Sequence, residues 1–158
     1  TPGHSPGNCC LYEGTQQILF SGDHLLKHTT PNPLMEIRRE RLRDPDYQSL
    51  RVYLDSLEKL TDLEVQYVFP GHGEYFEDLP GIIAAYSAHH AERMERVWQA
   101  LKRQSRPIYA LIGEVFPHVP EDDTLLAISE IMVHLELLVN AERARLVDPG
   151  PPALYQAL

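Results

Sequence analysis

Three short stretches hold the residues best suited to binding a divalent metal. They are Thr1-Pro2-Gly3-His4-Ser5-Pro6-Gly7, Phe20-Ser21-Gly22-Asp23-His24 and Phe69-Pro70-Gly71-His72-Gly73. Each presents a His or Asp from a turn shaped by glycine or proline. Imidazole nitrogen and carboxylate oxygen suit a hard-to-borderline cation, at about 2.0–2.2 Å for zinc. Glycine allows unusual backbone angles and close approach, and proline stiffens the turn, so the donor is held in place. An Asp after Gly is, taken alone, more often a turn or capping residue than a ligand. A His between two glycines has little else to do structurally, which favours a ligand at His72.

Taken together, the three stretches resemble the third, fourth and fifth metal motifs of the metallo-β-lactamase-fold hydrolases. Both their order and their flanking residues match. The resemblance implies that His4 binds a first metal, Asp23 bridges two metals and His72 binds the second. It implies two zinc ions in the complete protein, with iron or manganese as alternatives. The chemistry it implies is attack of a metal-activated water on an ester, thioester, lactone or phosphodiester of a small-molecule substrate. In this scheme His4, Asp23 and His72 are ligands and do not shuttle protons.

The family's His-x-His-x-Asp-His motif, which supplies the remaining ligands and the acid/base Asp, does not occur in these 158 residues. The chain is therefore expected to be a C-terminal half, with no catalytic acid/base residue of its own and no activity alone. Asn8 stands where close relatives often carry His. Asn8 and His24 are candidates for touching substrate or supporting the ligands. For His24, a core imidazole is an equal alternative.

Composition narrows the remaining classes. The apolar fraction is 43%, enough for a packed core, and the net charge is −9 with a pI near 5.3. An acidic balance argues against nonspecific binding to nucleic acid or an anionic membrane. No apolar run approaches the roughly 20 residues of a membrane-spanning helix. The two cysteines, Cys9 and Cys10, are neighbours, and a disulfide between neighbours is strained. Their usage suits a reducing compartment, so a cytoplasmic location is expected.

The elements that must position the ligands follow from periodicity. Cys9–Tyr12 and Gln16–Phe20 read as a hairpin around Glu13-Gly14-Thr15, with Asp23 at the exit of its second strand. Thr29–Leu34 reads as a loop near the site mouth. Arg38, Arg39, Arg41 and Arg43, mixed with Glu36 and Glu40, read as a solvated segment ahead of a phosphate patch. Asp44-Pro45 is an N-cap and first-turn signal, and Leu50, Tyr53, Leu57 and Leu60 follow at helical spacing. Val65–Phe69 reads as a buried strand leading to His72. Strand, helix and strand in that order predict a crossover unit with ligands at strand ends. A second helix is predicted over 79–103, with His89 and His90 on its surface or at an interface.

Composition shifts near Gln104, which divides the chain into 1–103 and 104–158. The second part reads as a short helix from Pro107 and a longer one capped by Asp123-Thr124, with Leu125, Ile128, Met132, Leu135 and Leu138 at helical spacing. Strands around Arg145–Val147 and Ala153–Tyr155 follow. This order resembles a winged helix, so the fold class is α/β: the C-terminal half of an αββα sandwich followed by a small winged-helix-like domain. A recognition helix needs Lys or Arg against phosphates. Between 121 and 145 six acidic residues stand against only Arg143 and Arg145. The tail is thus expected to pack, shape the entrance or dimerise the chain. A noncatalytic interaction or nucleic-acid-binding module is the alternative function.

Overall fold

The structure, a computed structural model, describes residues 1–33 and 47–158. The arginine-rich segment and the Asp44-Pro45 helix start fall outside the described residues. The chain forms two compact units, Thr1–His89 and His90–Leu158.

In the first unit, β1 (Leu11–Glu13) and β2 (Ile18–Gly22) form the antiparallel hairpin, pairing Leu11 with Phe20 and Glu13 with Ile18. The strands begin two residues later than the sequence reading places them. The turn is longer because the Glu13 carboxylate accepts the Thr15 and Gln16 N–H groups, and Gln17 turns back at φ 56°. Helix α1 (Ser49–Glu58) leads to β3 (Tyr67–Pro70), which pairs with β2 in parallel and completes a sheet of order β1-β2-β3.

The sheet has two unlike faces, because side chains alternate along a strand. Leu19 and Val68 are fully buried with Leu50, Tyr53 and Leu57 of α1. Phe20, Leu11 and Phe69 emerge on the other face, and Phe69 stacks between Phe20 and Tyr75 at ring distances of 5.7 and 5.6 Å. Helix α2 (Leu79–Arg103) starts where the Asp78 carboxylate accepts the Gly81 N–H, with Pro80 in its first turn.

The second unit takes over within α2. Val97, Ala100 and Leu101 bury with Leu111, Val115, Ile131, Leu135, Leu138 and Ala144, which is why the compact unit begins before the composition shift at 104. A 3₁₀ turn (Ile108–Leu111) runs into α3 (Ile112–Val115), and another (Glu121–Asp123) precedes α4 (Thr124–Asn140). Strands β4 (Ala144–Asp148) and β5 (Leu154–Ala157) pair antiparallel, and Arg106 bridges to Tyr155 at their edge. Trp98 packs on this core, with Lys102 and Arg143 over its ring.

Three details differ from the sequence reading. Asp123 occupies the N-cap of α4 without a side-chain capping bond; instead the Thr124 hydroxyl bonds the Glu121 carbonyl. The inward face of α4 runs through Ala127, Ile131, Leu135 and Leu138, while Leu125 is 78% exposed. That helix is apolar nearly all round, so spacing alone does not fix its phase. His90 is buried, not a surface residue, and its Nδ1 lies 3.2 Å from Nε2 of fully buried His134. His134 Nδ1 meets the Glu130 carbonyl at 2.7 Å. A carbonyl only accepts, so Nδ1 carries the proton there and Nε2 accepts from His90 in the neutral pair.

Candidate metal centre

Asp23 and His72 meet because of topology. β2 and β3 are parallel neighbours, so their C-terminal ends lie at one edge of the sheet. Asp23 follows the last residue of β2, and His72 lies two residues past β3. The two loops are tied together by the Gly71 N–H, which donates to the Gly22 carbonyl at 2.8 Å. His72 Nδ1 then stands 2.6 Å from Asp23 Oδ1. Both side chains reach solvent.

Glycine is required at the crossing. A Cβ at Gly71 would sit 2.9 Å from Asp23 Oδ1, and Gly73 adopts φ +81° immediately after His72. Lys27 and Glu74 add an ion pair of 2.8 Å between the same two loops, and the Lys27 ammonium holds the Glu74 carboxyl below its ordinary range. A hollow of about 970 Å³ lies beside the His72 loop, lined by Lys27, Phe69, Gly73, Tyr75 and Asp78 among others.

His4 sits on the other loop of the first unit. The backbone of that loop lies against α1: a Cβ at Gly3 would come within 2.4 Å of Tyr53 Cα, and the Ser56 hydroxyl donates to the Pro2 carbonyl. His4 Nδ1 is 3.0 Å from the Asn32 carbonyl, which leaves Nε2 for another partner. Asn8 donates its side-chain amide to the Thr1 carbonyl at 3.2 Å, and its Oδ1 lies near Gly22, so it braces this loop beside the Asp23 strand end.

His24 is fully buried against Tyr53, at a ring distance of 4.8 Å. Among the described residues neither of its ring nitrogens has a hydrogen-bond partner. Burial, aided by the positive charges of the N-terminus and His4, pulls its pKa down to about 4. It is a neutral core imidazole beneath the Asp23 loop. Cys9 and Cys10 are free thiols, and burial raises the Cys10 pKa.

The donor chemistry of His4, Asp23 and His72 fits zinc, and two of the three are in contact. Among the described residues, no group of three or more His, Cys, Asp or Glu is arranged to hold a metal. No described helix is long and apolar enough to cross a membrane.

A sheet whose parallel strands carry Asp and His to one edge, backed by helices, defines half of a metallo-β-lactamase α/β sandwich. Two solved structures have this fold. A metallo-beta-lactamase family protein from Thermus thermophilus matches all of the chain with TM-score 0.83 and 28% identity, using 48% of its own length. A beta-lactamase domain protein from Burkholderia ambifaria matches 99% of the chain with TM-score 0.87 and 25% identity, using 46% of its length. The family model described as the metallo-beta-lactamase superfamily matches residues 1–72, so the first part of the chain is similar to that superfamily.

Among curated relatives, the probable metallo-hydrolase YqjP of Bacillus subtilis is 30% identical over 90% of the chain and 44% of its own length. The beta-lactamase-like protein 2 homolog of Drosophila melanogaster is 30% identical over 98% of the chain and 49% of its length. The chain thus spans about half the length of these relatives.

Proposed function

We propose that this chain is the C-terminal half of a metal-dependent hydrolase with a dinuclear zinc centre shared between the two halves. The observation that carries the reading is the Asp23–His72 contact of 2.6 Å at the ends of adjacent parallel strands. An exposed carboxylate and imidazole held this way by glycines are poised as ligands, because neither is needed for packing. His4, Asp23 and His72 would hold the metal together with donors from the other half. When bound, zinc supplies the acidity that activates water and the positive charge that stabilises an oxyanion.

The chain's own residues orient this centre. Gly22 and Gly71 bring the two loops together, and Asn8 steadies the His4 loop. The proton-transferring Asp belongs to the other half, so this chain alone would hold metal weakly and hydrolyse nothing. The substrate class is a small ester, thioester, lactone or phosphodiester, and the compartment is the cytoplasm. The second unit has two helices followed by a hairpin, which supports a winged-helix-like reading. Its acidic α4 region favours packing or homodimerisation over nucleic-acid binding.

The test is hydrolysis of a panel of esters, thioesters and lactones by the longer protein before and after chelation. Activity lost to chelator and restored by zinc is expected. Turnover indifferent to chelator would overturn the reading.

A further inference from the structure

Among the described residues, the segment that carries Asp23 leaves β2 without entering a helix or strand, yet its backbone is held by two tyrosines on two different helices. The Tyr53 hydroxyl of α1 donates to the His24 carbonyl at 2.9 Å. The Tyr86 hydroxyl of α2 accepts the Leu26 N–H at 2.9 Å and shares its own proton between the Leu26 carbonyl at 2.5 Å and the Thr29 carbonyl at 2.9 Å. Ser21, the last buried residue before Asp23, donates its hydroxyl to the Leu25 carbonyl at 3.0 Å and closes the same bend. Both phenols are buried, so these bonds are shielded from competing water.

We propose that Tyr86 is a positioning residue for Asp23, fixing the loop that follows β2 so that its carboxylate stays at His72. The proposal rests on Asp23 being a metal ligand. Beside the buried side chains of His24 and Leu25, such bonds give this irregular loop its shape, and one hydroxyl satisfying three backbone groups is the densest of them here. Removing a partner that orients a metal ligand typically weakens metal binding about 10–100-fold. Tyr86→Phe keeps the ring and removes only the oxygen.

The experiment uses the longer protein, with zinc affinity measured by competition against a chelating dye and amide hydrogen exchange measured at Leu26. Tyr86→Phe is expected to weaken zinc about 10-fold and to speed Leu26 exchange by a similar factor. Ile83→Val, a neighbouring core change on α2, serves as the control and should lower the melting temperature with zinc affinity kept. If Tyr86→Phe does not fold, Tyr53→Phe, which removes the bond to His24, is measured in the same way and should show a weaker form of the same loss. Unchanged zinc affinity in the variant, with wild-type binding that depends on Asp23, would overturn the proposal. Zinc binding that ignores Asp23→Ala would instead overturn the ligand assignment on which it stands.

Discussion

The pair Asp23–His72 and the pair His90–His134 each bring an imidazole within hydrogen-bond distance of a partner, and they have opposite characters. Asp23 and His72 are unlike groups, exposed, and held by glycine turns at two strand ends. His90 and His134 are like groups, buried, and held by two helices. In the first pair the surroundings keep the donors available. In the second, packing consumes them. Arg93 pairs with Glu130 at 2.8 Å beside that second pair and also donates to the Val115 carbonyl, so the surroundings of His134 are built for cohesion. A histidine near another polar group is thus not in itself a site; exposure and the backbone that carries it decide.

This contrast can be broken by mutation. The largest effect on stability should come from His134→Ala, which empties a fully buried volume and strips a partner from His90. A loss of about 2–3 kcal/mol is expected in urea unfolding of the chain. A change within about 0.5 kcal/mol would show that the buried pair does not hold the second unit together.

A sharper test is Gly71→Ala. Its Cβ would meet Asp23 Oδ1 and the Gly22 backbone, so the carboxylate must move. Zinc affinity in the longer protein should fall about 10-fold, with far less effect on unfolding. Equal affinity in the variant would mean that the crossing of the two loops does not set the donor geometry. The smallest stability effect should be that of Asp23→Ala itself, about 1 kcal/mol or less, since an exposed pair contributes little. A collapse of the fold on that substitution would erase the distinction between the two pairs.

Much of the first unit is legible in the sequence. The stripe through Leu50, Tyr53 and Leu57 specifies which helix face is buried, and the strand-helix-strand order specifies a parallel pair, whereas the apolar run Ile18-Leu19-Phe20 marks a strand without saying that Leu19 is its buried side and Phe20 its exposed one. Parallel pairing then brings Asp23 and His72 together, although they are 49 residues apart in sequence. Less is legible where the pattern is silent. The hairpin turn is longer than spacing suggests because the Glu13 carboxylate captures two N–H groups, a side-chain effect that periodicity does not reveal. The phase of α4 is not readable because apolar residues surround that helix. The contact of His90 with His134 joins residues 44 apart on separate helices, and no local motif announces it. Periodicity makes Tyr86 a core residue of α2, and its hydroxyl's three backbone contacts depend on a loop far away in the chain.

The most direct measurement is metal content by plasma mass spectrometry, on the longer protein and its Asp23→Ala variant. Two metals per chain in the wild type and one in the variant are expected if Asp23 bridges a dinuclear centre. Equal metal content in both would contradict that assignment.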